Sequence, residues 1–175
     1  MLRVKTSFVV DANVLIDYAN TDLTMLSLVS RIVGPLHVPD AVLDMVAAVN
    51  RNDCDQLDLK IVEPTLEQLL EAGERRGRLA HDDRLCLILA RDNGWVCITN
   101  DKALRAECAE ENVEVLWGLE PMLTVVAEGE LSAEEAEAVA WSIHKTNPAF
   151  VSEALVTKFK SKLRHLAAKR RPPRR

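Results

Sequence analysis

Apolar residues along this chain follow two alternating rhythms. Short apolar runs predict strands at Val4–Val10, at Leu-His-Val-Pro (36–39), near Leu59–Val62, at Trp-Val-Cys-Ile-Thr (95–99) and at Val-Glu-Val-Leu-Trp (113–117). Between them, helical spacing predicts helices from about Asn13 to Ala19, Leu23 to Val33, Ala41 to Val49, Glu67 to Arg75, Asp83 to Asp92 and Lys102 to Glu111. A further helix runs to about Val126. The punctuation agrees: Gly34-Pro35 stops the second helix, Gly73 and Gly77 weaken the end of the Glu67 helix, and Asn93-Gly94 closes the strongly apolar one before it. Strands alternating with helices argue for an α/β protein, an α/β/α sandwich around a mostly parallel sheet with right-handed crossovers. No internal repeat interrupts the pattern.

After Gly129-Glu130-Leu131 the rhythm becomes purely helical. Ser132 and Glu135 form an S-x-x-E capping box, Asn147-Pro148 breaks the helix it opens, and Val151, Leu155, Phe159, Leu163 and Leu166 stripe another. The chain therefore divides into an α/β unit over 1–128, a C-terminal helical extension over 129–168 and a basic tail over 169–175. Two amphipathic helices must cover something, and core packing is the default.

Composition adds limits. At 175 residues, 48% apolar and only 4% aromatic, the chain is long enough to bury roughly 70% of its surface in a core of Leu, Val, Ile and Ala. The apolar runs fall short of the ~20 residues of a membrane span, and Asp11 interrupts the N-terminus too early for a signal peptide. A cytoplasmic location with no membrane partner is the expectation. Cys54, Cys86, Cys97 and Cys108 lack a C-x-x-C pairing and read as reduced thiols. His37, His81, His144 and His165 show no ligand spacing. The net charge of −5 is uneven: residues 151–175 hold nine Lys/Arg against Glu153, a charge of +8, which leaves −13 on residues 1–150. An acidic body needs cations, and a basic end including Lys169, Arg170, Arg171, Arg174 and Arg175 suits a polyanionic partner. In Arg-Arg-Pro-Pro-Arg-Arg, adjacent prolines and like charges predict disorder.

The candidate chemistry is acidic. Asp11 ends an apolar strand in Phe-Val-Val-Asp-Ala-Asn-Val-Leu-Ile, where an uncompensated carboxylate is costly to desolvate. Asp101 lies two residues past strand 95–99, Asp82 and Asp83 open the helix before it, and Asp44 sits on the first turns after strand 36–39. In open α/β sheets ligands gather beyond the carboxyl ends of the strands. Taken singly, Asp11, Asp82 and Asp101 are good helix N-caps, each worth about 1 kcal/mol. Taken together, four segments deliver carboxylates to one rim, where they would raise one another's pKa unless a divalent ion neutralised them. Oxygen donors without His or Cys point to Mg²⁺ or Mn²⁺.

These stretches resemble the PIN-domain ribonucleases, which include the toxin halves of VapBC toxin–antitoxin pairs. The resemblance rests on "FVVDANVLIDY", "HVPDAVLDMV", "RGRLAHDDRLCLILARDNGWVCITNDKALRAEC" and "VEVLW", and covers roughly residues 4–127. It implies a PIN-like fold, Mg²⁺- or Mn²⁺-dependent endonuclease activity on RNA, and a homodimer; the toxin reading adds an antitoxin protein as partner. It also implies that Asp11, Asp83 and Asp101 are catalytic metal-binding acids. Asp83 is preferred to Asp82 because it lies seven residues before Ala90, as in the family's D-x-x-x-x-x-x-A helix. Thr99 matches a hydroxyl residue that supports the last carboxylate, and Asn13 is a donor behind Asp11. One position departs: Met45 stands where the family has Glu, and the neighbouring Asp44 points about 100° away on a helix. Asp44 is a metal ligand only if that helix is rotated.

Two other readings stand beside the nuclease. One is a catalytically weak PIN module acting as an RNA- or protein-binding scaffold, favoured by Met45. The other, a haloacid-dehalogenase-type phosphatase, also begins with Asp after a strand but normally has a second Asp where Asn13 stands. Phosphate-cradling glycine loops are absent from the sequence.

Overall fold

The computed structural model describes residues 6–74 and 77–170, with backbone only for 169 and 170. Strand β1 (Phe8–Val10) leads through α1 (Ala12–Ala19) and α2 (Thr24–Ile32) to β2 (Leu36–Pro39). Helices α3 (Asp40–Met45) and α4 (Arg51–Gln56) carry the chain out to β3 (Lys60–Val62). Helices α5 (Leu66–Gly73) and α6 (His81–Asn93) bring it back to β4 (Val96–Ile98), followed by α7 (Lys102–Glu110) and β5 (Val115–Leu116). Helices α8 (Glu120–Glu128), α9 (Ala133–Thr146) and α10 (Glu153–Arg170) complete the described chain.

All strand pairs are parallel, in the order β3-β2-β1-β4-β5, with Val9 level with both His37 and Cys97. This is the expected α/β class: a parallel sheet flanked by helices, with extra helices at the C-terminal end. The strand sequence steps outward from β1 to β3, then returns to place β4 on the other side of β1. The direction of winding therefore reverses between β1 and β4, and a crevice opens at their carboxyl ends.

Local chemistry explains the elements that matter for that crevice. Helix α6 buries every residue from Arg84 to Ala90, because it lies on β1 and β4 and is covered by α5 and α7. It ends on Gly94 at φ 65°, a left-handed cap that a side chain would disfavour. It starts two residues earlier than its pattern predicts, with Ala80 at the cap position, so Asp82 and Asp83 lie inside its first turn.

Several boundaries differ from the sequence expectation. The helix predicted over Ala41–Val49 stops at Met45, because Val46 leaves helical geometry (φ −106°, ψ 89°). A new helix, α4, then starts on an unpredicted capping box in which Asn50 and Asp53 satisfy each other's amides. Strand β1 begins only at Phe8, and residues 1–5 lie outside the described residues, as does Arg75 at the predicted end of α5. Strand β5 is reduced to two residues.

The extension joins the main core. Ser132 and Glu135 form their capping box as predicted. Ala136, Ala140 and Ile143 of α9, with Val151, Val156, Phe159 and Leu163, belong to the same buried cluster as β1 and α1. Helix α9 packs on α1, α8 and α10, and α10 also packs on α8. Within the predicted stripe, Val151, Phe159 and Leu163 are buried while Leu155 and Leu166 are half-buried. Each fully buried side chain of this size contributes about 2 kcal/mol. Helix α10 continues through Lys169 to Arg170, past the predicted start of the tail; residues 171–175, with Arg171, Arg174 and Arg175, lie outside the described residues. Among the described residues no helix is long and apolar enough to cross a membrane.

Candidate active site

Strands β1 and β4 end side by side; β1 turns directly into a helix cap at Asp11, and β4 reaches its cap, Asp101, through Thr99 and Asn100. Asp11 follows Val10, is 0% exposed, and accepts from the Val14 amide at 2.8 Å through Oδ1. Its Oδ2 accepts the hydroxyl proton of Thr99, itself fully buried one residue past β4. The same hydroxyl oxygen accepts from the Asp101 amide at 3.0 Å, and Asp101 Oδ1 caps α7 through the Leu104 amide at 2.9 Å. Both cap readings made for Asp11 and Asp101 thus hold, and Thr99 stitches the two caps together. Its proton goes to Asp11, not to the last carboxylate, where the resemblance placed its support.

Burial pushes the Asp11 carboxyl up to about 7, against the pull of the Thr99 and Val14 hydrogen bonds, and the charges of Asp83 and Asp17 add to the rise. Asp83, in the first turn of α6, is pushed up to about 6, first by burial and then by Asp82 and Asp101. The field of Asp83 therefore acts on Asp11, and that of Asp101 on Asp83. Asp83 makes no side-chain hydrogen bond among the described residues, and Asp101 keeps its Oδ2 free of one. Carboxylates from β1–α1, α6 and β4–α7 share one rim and repel each other there.

Asp17 belongs to the same rim and was missed by sequence reasoning. It lies in the last turn of α1 at 2% exposure, accepts from Asn147 Nδ2 at 2.7 Å and Asn100 Nδ2 at 3.4 Å, and burial lifts it to about 6. The only local signal is an acid set among the apolar residues of Leu-Ile-Asp-Tyr. Asn100 also accepts from the Gly118 amide at 2.8 Å, and Tyr18 donates to the Gly118 carbonyl at 2.7 Å. Gly118 must be small here: a Cβ would stand 2.8 Å from Asn100 Nδ2.

Other expected residues stand apart. Asp44 is exposed in the last turn of α3, with no hydrogen bond or ion pair to the rim among the described residues, and Met45 is 60% exposed. Asn13 is half-buried and makes no hydrogen bond to Asp11 among the described residues; Val14 and Thr99 do that work. Lys169 and Arg170 continue the backbone of α10. The four cysteines are free and buried. His37 stacks on Trp95, with ring centroids 3.8 Å apart, and His144 pairs with the Val151 carbonyl. Among the described residues no three His, Cys, Asp or Glu side chains stand close enough together to hold a metal ion by themselves.

No protein-family model matches the sequence, and no curated protein matches it either. Among solved structures, the chain is similar to a PilT N-terminus domain protein from the hyperthermophilic archaeon Sulfolobus solfataricus P2. The TM-score is 0.48 and the identity 8%, over 68% of this chain and 92% of that one. What the site can do therefore follows from its own atoms.

Proposed function

We propose that this protein is a divalent-cation-dependent endoribonuclease that hydrolyses RNA phosphodiesters at the rim of Asp11, Asp83 and Asp101. The observation that carries this reading is the fully buried Asp11 at the β1/β4 crevice, held by Thr99 and Val14 and repelled by Asp83. Its raised pKa means that ionising Asp11 without a nearby cation is unfavourable.

The donor set suits Mg²⁺ or Mn²⁺ in kind, since it is all carboxylate oxygen. Mg²⁺ commonly takes only one or two protein carboxylates, the rest of its shell being water and substrate phosphate. A pair such as Asp11 and Asp83 is enough for that mode without a third close ligand, and Asp101, whose charge acts on Asp83, has an Oδ2 free of hydrogen bonds among the described residues. When bound, such an ion supplies Lewis acidity and an activated water for in-line attack on phosphorus. Thr99 would hold the Asp11 carboxylate in one orientation, because its hydroxyl is itself fixed by the Asp101 amide. Asp83, with no hydrogen bond to give up, would be free to turn toward the ion. The toxin reading would add an antitoxin protein as the inhibitor of this same rim.

The test is cleavage of a labelled single-stranded RNA with Mg²⁺, Mn²⁺ or chelator. Wild type should cut only with the ion, and Asp11→Asn and Asp83→Asn should each lose at least 10²-fold, on the scale of losing a catalytic metal ligand. Undiminished cutting by both variants would refute the assignment. A second reading, a binding module with weak or no catalysis, is supported by the exposed Met45, which stands where the resemblance places a Glu. It predicts RNA binding in chelator with no cleavage under any metal.

A further inference from the structure

We infer that the C-terminal extension builds a groove that leads a single RNA strand away from the acidic rim. Two adjoining hollows, of about 340 and about 970 Å³, share Lys102, Trp117, Ser152 and Leu155 and join into one channel. The smaller one starts at Asn100 and Asp101, on the rim itself. The larger one runs along α10 to Lys158 and Lys162. One wall comes from α7, the segment between β5 and α8, and α8, the other from the α9–α10 turn and α10. The second wall is made of residues beyond 128, outside the stretch that resembles the PIN ribonucleases.

The lining has the two features that a single strand needs. Trp117 and Phe150 present aromatic rings, on which only unpaired bases can stack. Trp117 is held in place by Arg105, whose guanidinium lies 3.8 Å over the indole and donates to the Thr99 carbonyl at 3.2 Å. The cations divide by commitment. Lys162 is paired with Glu120 at 2.7 Å, and Lys160, off the channel, is paired with Glu137. Lys102 and Lys158 are exposed and make no ion pair among the described residues. Asp101, Glu120 and Glu153 also line the channel, so its charges balance overall, and the lining cations without an ion pair among the described residues are Lys102 near the rim and Lys158 along α10. The proposal rests on the nuclease reading only for where the strand is cut; binding in the groove stands or falls separately.

The experiment measures anisotropy of a fluorescein-labelled single-stranded RNA of mixed sequence, with the full chain in chelator, so that no metal is involved. A duplex of the same sequence is the control, and thermal melts verify that each variant is folded. Phe150→Ala and Lys158→Glu should each weaken single-strand binding about tenfold, and Lys158→Glu should flatten the salt dependence of log Kd by roughly 0.7. Unchanged affinity in both groove variants, preference for the duplex, or no single-strand binding by wild type at low salt would each overturn the groove; the last outcome would favour a peptide occupant. Groove-dependent binding by a protein that never cleaves would sink the nuclease reading and leave the groove standing. Metal-dependent cleavage with unaltered binding in both variants would do the reverse.

Discussion

Replacing Asp11 by asparagine removes a buried charge while keeping the shape of its surroundings. The amide oxygen can accept from Val14, and the amide nitrogen can donate to the Thr99 hydroxyl in place of the bond running the other way. What changes is titration. The carboxyl of Asp11 titrates near 3.8 when unfolded and at about 7 when folded. Between those values the folded protein keeps a proton that the unfolded chain has released, so stability falls as pH rises from about 4 to about 7 and levels off above it. The slope is about 1.4 kcal/mol per pH unit, and the full loss is roughly 4 kcal/mol. Urea unfolding in chelator, followed by tryptophan fluorescence from pH 4.5 to 8, measures this for wild type and Asp11→Asn. Carboxylates remote from Asp11 titrate alike in both proteins, so the difference between the two curves reports Asp11 together with its coupling to Asp83 and Asp17. The variant should gain on wild type steadily up to pH 7, by a few kcal/mol. Saturating Mn²⁺, at about 100 times its Kd, should then restore about 2.7 kcal/mol to wild type at pH 7.5 and little to the variant. Parallel pH curves would refute the buried, proton-retaining Asp11, and equal Mn²⁺ stabilisation of both proteins would refute its role in holding the ion.

Three further outcomes follow from the packing. Asn147→Ala removes the 2.7 Å bond to Asp17 and should cost roughly 1–3 kcal/mol at pH 8 but less at pH 5, where Asp17 is protonated; equal losses at both pH values in urea melts would contradict that pairing. Phe159→Ala should cost about 3–5 kcal/mol in the same assay, because α10 shares the main core, and a loss under about 1 kcal/mol would show the extension to be peripheral. Gly118→Ala places a Cβ against Asn100 and Val14 and should lower stability by roughly 1–3 kcal/mol, and an unchanged melting temperature would show that Asn100 is free to move.

Much of the architecture could be read from short windows of sequence. The apolar runs marked every strand of the sheet, Gly94 closed α6, and the Ser132–Glu135 box opened α9, because each signal is carried by residues within one or two turns of each other. Reading failed where a local pattern was weak or had a competitor. The break at Val46 and the start of α4 passed unnoticed because the apolar spacing of Ala41–Val49 continues across the end of α3. The cap expected of Asp82 moved to Ala80 once α6 extended by two residues.

The site divides along the same line. Sequence by itself determined which residues could supply acid at the strand ends, since a carboxylate directly after an apolar strand is visible in Phe-Val-Val-Asp and Ile-Thr-Asn-Asp. Only the tertiary structure decided that Asp11 is sealed from solvent, that Thr99 donates to it from across the sheet, and that Asp17 is held by an asparagine 130 positions away. It also left Asp44 on the surface and packed the C-terminal helices into the main core against α1 and α8. The physical reason is that periodicity and capping are properties of neighbours along the chain. Desolvation and the repulsion of like charges depend instead on which distant segments come to cover and face a group.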